Sequence, residues 1–324
     1  MIVPEYWSEA KERIVVDGKQ RTLKRFGWSD VSEQDALDNA RDRVAEAATR
    51  ARAGEKVRTM DHKISYNGAE GLPIREEIVS RHGDAVITRN SYGALCLNTP
   101  DIVFADVDVD EGRPAWLYLS YLLLIAAAGV YFSREFGTWW VLAVALLVGL
   151  FLSELLSALT ARVISAARAD PFDAARARIE RFATDNPNWL LRLYRTPKGY
   201  RVLVMHRTFE PTEEPAFEFM KLLDSDPLYV TMCRNQKCFR ARVSPKPWRI
   251  GMEHIRPRPG VWPIKPERMP ARHEWVRRYE EKSQRFASCR FEATLGTGSL
   301  DPKCDALRSV HDKLCKAEQD LALA

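Results

Sequence analysis

Two long apolar runs interrupt an otherwise polar chain. Ala115 to Ser133 spans 19 residues with no charged side chain, and Thr138 to Ala161 spans 24 with one, Glu154. Only Arg134, Glu135, Phe136 and Gly137 separate them. A bilayer core of roughly 30 Å is crossed by about 20 apolar residues in a helix, so each run is long enough. Trp116, Tyr118 and Tyr121 begin the first run, Tyr131 and Phe132 end it, and Trp139 and Trp140 open the second. Rings at both ends match the aromatic belts of membrane interfaces. Ala126, Ala127, Ala128 and Gly129 stand against Ala143, Ala145 and Gly149, small residues that allow close helix contact. The pattern predicts a transmembrane helical hairpin over 115–161, with a buried hairpin in a soluble domain as the alternative.

Charge sets the expected orientation. Arg162, Arg168, Arg176, Arg178 and Arg181 follow the second run, while Arg113 precedes the first among acids. The positive-inside rule then puts both long polar parts and both termini in the cytosol, with the 134–137 turn outside an inner (cell) membrane. Met1-Ile2-Val3-Pro4-Glu5 offers no basic segment followed by an apolar one, so no signal peptide is expected.

Outside the runs the periodicity alternates between strand and helix. Tyr6 to Val16 reads as a strand, Asp17-Gly18-Lys19 as a hairpin turn, and Arg21 to Trp28 as its partner. Ser32 with Asp35 opens a helix, with Ala36, Ala40, Val44, Ala47 and Ala48 at helical spacing until Gly54. Further strands are expected at Ile78-Val79, Ala85 to Thr88, Ala94 to Leu97, and Ile102 to Asp108. Pro171 starts a helix. Strands are then expected at Trp189 to Tyr194 and Tyr200 to His206, a helix at Glu213 to Leu223, and strands at Leu228 to Thr231 and Cys238 to Val243. Pro245 to Pro270 reads as irregular, and two helices, roughly 271–290 and 303–322, close the chain. The fold class is α+β: a mixed α/β sheet domain, cytosolic in the orientation above, with the hairpin inserted into it. The expected divisions are an N-terminal β-hairpin and helix module at 1–60, the first part of the α/β domain at 61–114, the hairpin at 115–161, the second part at 162–270, and C-terminal helices at 271–324.

Composition adds limits. The chain has 324 residues, a net charge of +5 and six cysteines. The mild positive charge suits an anionic inner leaflet but does not announce nucleic-acid binding. Cys96, Cys233, Cys238, Cys289, Cys304 and Cys315 are scattered, as free thiols in a reducing compartment are. Cys233 and Cys238 lack a second ligand pair at metal spacing, so zinc is not expected there. Lys11, Arg13, Lys19, Arg21, Lys24 and Arg25 give the first hairpin a basic face, either solvated or in contact with nucleic acid.

Three groups of residues carry candidate chemistry. Asp106, Asp108 and Asp110 alternate along a strand end and so share a face. Carboxylates gathered in this way suit Mg²⁺ or Mn²⁺; the alternative is a solvated acidic loop. Arg240 and Arg242 share a strand face, followed by Lys246 and Arg249, with Arg234 and Lys237 beside them; arginine suits bidentate phosphate contact. Anionic lipid is the competing ligand. The turn Thr196-Pro197-Lys198-Gly199, followed by Arg201 and then His206, exposes backbone N–H groups and a lysine to a phosphate.

In this order, these elements resemble the catalytic core of the archaeo-eukaryotic primase superfamily, over about 100–250 without the hairpin. Asp106 and Asp108 match its acid-x-acid metal pair, and Thr196 to Gly199 its small-residue turn. The family's His follows that turn closely. Here Arg201 holds the place and His206 comes five residues later. The later acid is Asp224 or Asp226. The resemblance implies metal at Asp106 and Asp108, catalytic roles for His206 and Asp226, and nucleotide phosphates at Lys198, Arg201, Arg240, Arg242, Lys246 and Arg249. It implies nucleotidyl or phosphoryl transfer. The alternative is a non-enzymatic membrane-anchored protein whose basic patch binds a partner, nucleic acid or anionic lipid.

Overall fold

The computed structural model describes residues 3–61, 72–109, 115–167, 170–256, 258 and 262–324. Asp110 and Glu111 of the acidic run, together with Arg113 and Arg168, lie outside the described residues. The chain forms two compact units, one of Met1–Asp108 with Ile179–Ala324 and the other of Val109–Arg178.

The second unit is built on α2 (Ala115–Glu135) and α3 (Trp140–Ala167). Both helices are long and apolar enough to cross a membrane, and only 11% and 17% of their most apolar windows is buried. A core helix of a soluble protein would bury most of such a window. Here Leu123, Leu124, Leu147 and Phe151 point outward instead. The helices run antiparallel: Tyr121 Oη lies 2.8 Å from Thr160 Oγ1, while Gly149 faces Ile125 and Gly129 faces Ala145. Small residues thus bring the two backbones together where larger ones would hold them apart.

In the first unit, β1 (Tyr6–Val16) and β2 (Lys19–Ser29) form an antiparallel hairpin in unbroken register. Its two-residue turn uses Asp17 and Gly18, both at positive φ (53° and 68°), the geometry that matches strand twist. Ser32 Oγ accepts the Asp35 N–H and starts α1 (Glu33–Arg52). Ile14, Leu23, Val44 and Ala48 join the hairpin to this helix. The hairpin's basic residues are partly answered by acids: Lys11 and Lys24 pair with Glu9, and Arg52 with Glu12.

Two antiparallel four-stranded sheets follow. One is ordered β3-β4-β5-β9, from β3 (Glu77–His82), β4 (Ala85–Arg89), β5 (Leu95–Thr99) and β9 (Phe239–Arg242). The other is ordered β11-β7-β8-β6, from β6 (Phe104–Asp108), β7 (Leu191–Thr196), β8 (Gly199–Val204) and β11 (Arg290–Leu295). Ile87, Leu97, Phe104, Leu203 and Val243 share one core, so the sheets are packed as a single body. The remaining helices are α4 (Pro171–Asp185), α5 (Glu214–Leu222), α6 (Pro227–Gln236), α7 (Met269–Ser283) and α8 (Pro302–Cys315). The architecture is mixed α/β.

Three segments differ from the sequence reading. The expected strand at Leu228–Thr231 is the first turns of α6. Asp226 Oδ1 accepts the Leu228 N–H at 2.9 Å and Pro227 takes the first helical position, so the pair starts a helix here. The expected helix over 271–290 ends at Ser283, and the segment beyond it holds β10 (Phe286–Ala287) and β11. Helix α8 stops at Cys315, with Lys316 in the left-handed conformation, and β12 (Ala322–Leu323) pairs parallel with β10. Phe291, Ala293 and Leu295 alternate with polar residues, a period of two that suits pairing with β7.

A Cβ added at Gly27 would run into the Ala36 carbonyl oxygen and the Ala40 nitrogen, both backbone atoms of α1. Gly27→Ala is therefore expected to destabilise the first unit by about 1–3 kcal/mol. Urea unfolding followed by tryptophan fluorescence measures this, since Trp7 and Trp28 lie at 5.8 Å on the same hairpin.

Candidate phosphate and metal site

Many of the candidate charged residues surround a cavity of about 350 Å³ in the first unit, within the roughly 300–1,000 Å³ of small-molecule sites. It lies where the edge strands of the two sheets, β6 and β9, meet the turn between β7 and β8. Four carboxylates, Glu76, Asp106, Asp108 and Asp226, line it. So do Lys198, Arg201, Arg240, Arg242, Lys246 and Arg249. Nine of the ten residues singled out in the sequence thus share one cavity, although they come from four separate stretches of chain.

Strand alternation puts Asp106 and Asp108 on the same face of β6. The backbone N–H of Asp226 donates to the Asp106 carbonyl oxygen at 3.1 Å, which docks the start of α6 against β6. Asp224, the other candidate acid, does not line the cavity. Asp108 shows that the acids feel one another: its carboxyl is pushed up, first by burial and then by repulsion from Asp106 and Asp226. The three nonetheless do not form a group whose oxygens all lie within 4.8 Å of one another. Arg201 engages one of these acids. It stands opposite Asp106 in the β6–β8 register and grips it with two bonds, Nε to Oδ1 at 2.7 Å and Nη2 to Oδ2 at 3.2 Å. Burial alone would lower the Arg201 pKa, but the Asp106 carboxylate outweighs it and the guanidinium is held firmly charged. Arg201 is thus a partner of the acid rather than an open phosphate ligand.

The cations divide in the same way. Arg240 is buried and paired with buried Glu76, which also accepts from Thr88 Oγ1 at 2.6 Å. Its charge is already answered, which weakens the expectation that it binds phosphate. Arg242 Nη1 donates to the Ser244 carbonyl oxygen at 2.8 Å, on the far side of the strand end. Lys246 and Arg249 are less well answered. Burial, then repulsion from Arg242 and Arg249, lowers Lys246 to about 8. Arg249 is lowered by burial and by Arg242, and its Nη1 is buried without a hydrogen-bond partner among the described residues. Lys198 is exposed on the two-residue turn. Arg234 pairs with Glu214 and, like Lys237, does not line the cavity.

His206 is the residue that the structure separates from the rest. Its ring packs 4.6 Å from Trp189 and 6.0 Å from Phe209, in an aromatic cluster outside the cavity. It follows Arg201 by an odd number of residues, and along an extended chain that reverses the face. Burial and Arg207 lower its pKa.

Two features escaped the sequence reading. Tyr92, whose hydroxyl is pushed up to about 12 by burial and then by Cys96, forms a cavity wall beside Asn90 and Ser91. Cys289, His311 and Cys315 are the only group of three metal-ligating side chains with ligand atoms within 4.8 Å of one another among the described residues. His311 and Cys315 are four residues apart on α8, a spacing visible in the sequence, but Cys289 reaches them only through the fold. Cys233 and Cys238 are both buried, and burial raises both thiols.

Removing Asp106 strands a buried guanidinium, so Asp106→Ala is expected to cost about 3–5 kcal/mol of stability. Asp108→Ala relieves repulsion and is expected to cost less than about 1 kcal/mol; chemical unfolding of the two variants compares them. With its pKa lowered to about 8, Lys246 loses its charge as the pH rises through that range. Pyrophosphate affinity is therefore expected to fall about tenfold more between pH 7 and 9 in the wild type than in Lys246→Arg, as one charge-assisted hydrogen bond is lost. Isothermal titration across that range measures the difference. No family model, curated protein or solved structure matches the chain.

Proposed function

We propose that this chain is a membrane-anchored protein whose α/β unit binds a divalent cation and a nucleotide or related phosphate ester, in the manner of a primase-like nucleotidyl or phosphoryl transferase. The observation that carries the reading is the lining of one cavity: three aspartates, with Lys246, Arg249, Arg242 and Lys198 among its basic residues. A metal polyphosphate needs both signs of charge. The donor set fits a hard cation, since Asp108 and Asp226 offer carboxylate oxygens and Asp108 is held under repulsion that a cation would relieve. Asp106 keeps a lone pair on each oxygen beyond the Arg201 bonds. Mg²⁺ or Mn²⁺ bound there would supply charge neutralisation for phosphoryl chemistry.

The protein's own part is binding and orientation. Lys246 and Arg249 hold non-bridging phosphate oxygens, and the unpartnered Arg249 Nη1 gains its missing acceptor. Lys198 closes over the phosphates from the turn. Arg201 fixes the Asp106 carboxylate. The two apolar helices, with most of their side chains outward, support the bilayer as the anchor. The arginines after α3 favour the 134–137 turn on the outer face of the cell membrane and both termini in the cytosol.

The deciding experiment titrates detergent-solubilised protein with Mn²⁺ and a nucleoside triphosphate, beside Asp108→Asn and Lys246→Ala/Arg249→Ala. Asp106 is left intact because its loss confounds binding with folding. Metal affinity is expected to drop about tenfold in the first variant, and triphosphate affinity at least as much in the second. Absence of binding, or binding indifferent to both changes, rejects the reading. For topology, Phe136→Cys is expected to react with an impermeant maleimide in intact cells; reaction only after lysis reverses the orientation.

A further inference from the structure

Behind the β6–β8 pair lies a second cluster that the nucleotide reading does not use. Cys289, just before β11, meets His311 and Cys315 on α8, and all three side chains are buried. His311 Nε2 lies 3.4 Å from Cys315 Sγ and 4.0 Å from Cys289 Sγ. A tetrahedral zinc with bonds of about 2.3 Å to sulfur and 2.0–2.1 Å to nitrogen separates such ligand atoms by about 3.6 Å. The two observed distances bracket that value.

The histidine is also held as a metal ligand would be. Its Nδ1 lies 2.9 Å from Asp312 Oδ1. A carboxylate only accepts, so Nδ1 carries the proton and the Nε2 lone pair faces the sulfurs. Asp312 is fixed in turn by the Tyr194 hydroxyl at 2.6 Å and by Arg192 at 2.8 Å. Arg201 Nη1 donates to the Arg242 carbonyl oxygen at 2.8 Å and reaches Nε2 with a longer contact of 3.4 Å, which a metal on the same lone pair would replace.

We propose that Cys289, His311 and Cys315 hold a zinc ion, three protein ligands that leave the fourth position to a water, with Asp312 orienting the histidine. Two thiolates neutralise Zn²⁺, so the group as a whole brings no net charge into the core. The thiol protons leave to solvent as the metal binds. Because the ligands are enclosed, the metal is acquired as the chain folds. Bound there, it ties the β10–β11 connection to the end of α8, where Ser288 N–H already donates to the Cys315 carbonyl oxygen at 3.1 Å. The site stands independently of the proposed nucleotide chemistry.

The test uses the full chain, purified in detergent without chelator. Elemental analysis is expected to find one zinc per chain, unchanged in Cys233→Ser and lost in Cys289→Ser and Cys315→Ser. X-ray absorption on the wild type guards against variants that fail to fold. It is expected to show two sulfurs at about 2.3 Å and lighter ligands at about 2.0–2.1 Å. Chelation is expected to lower the thermal midpoint of the wild type. Zinc well below one per chain, zinc kept in Cys315→Ser, an all-sulfur or sulfur-free shell, or a Cys289–Cys315 disulfide in the non-reduced protein each overturns the proposal.

Discussion

The pairing of Arg201 with Asp106 is the contact on which the first unit's geometry turns. A guanidinium buried this deeply is tolerated only when its charge is answered and its N–H groups are used. Asp106 answers the charge from the neighbouring strand, and the Arg242 carbonyl oxygen takes another N–H from the edge of the other sheet. One side chain therefore joins β6, β8 and β9. The carbonyl oxygen of Asp106 receives the first turn of α6. The two sheet edges are held at the separation that leaves the cavity, and the cavity inherits its charges from the residues that hold it open.

Within the cavity some charges are spent on structure and others are left in tension. Arg240 with Glu76 and Arg201 with Asp106 are closed pairs. Asp108 is raised by its neighbours, Lys246 is lowered by its own, and Arg249 keeps a buried nitrogen unused. Groups held against their electrostatic preference cost stability, and a ligand of mixed charge would return it. Such a division is what the proposed binding of a metal polyphosphate would draw on.

Much of this was legible in the chain, for reasons that can be traced. The α2–α3 pair follows from length and hydropathy alone. Asp17-Gly18 and Ser32 act locally, so the first hairpin and helix were readable. Asp106, Asp108, Lys246 and Arg249 were found because charged residues beside apolar strands stand out. The failures have a different origin. Asp226-Pro227 both ends one segment and starts the next, and only packing against β6 decides that a helix follows. The short strand β11 exists because β7 offers it an edge, a partner nearly a hundred residues away. Arg201 looks like a ligand until Asp106 is seen opposite it. Cys289 joins His311 and Cys315 through tertiary contact, which no local spacing encodes.

One consequence concerns the exposed side of a sheet. Strand β6 is the last strand of its sheet, and an edge with free carbonyls invites another chain to add a strand. Here the Tyr229 hydroxyl donates to the Phe104 carbonyl oxygen at 3.0 Å, and Asp226 N–H to that of Asp106. The first turns of α6 thus occupy two successive outward-facing acceptors. At these two positions the acidic strand no longer offers an acceptor to an added strand.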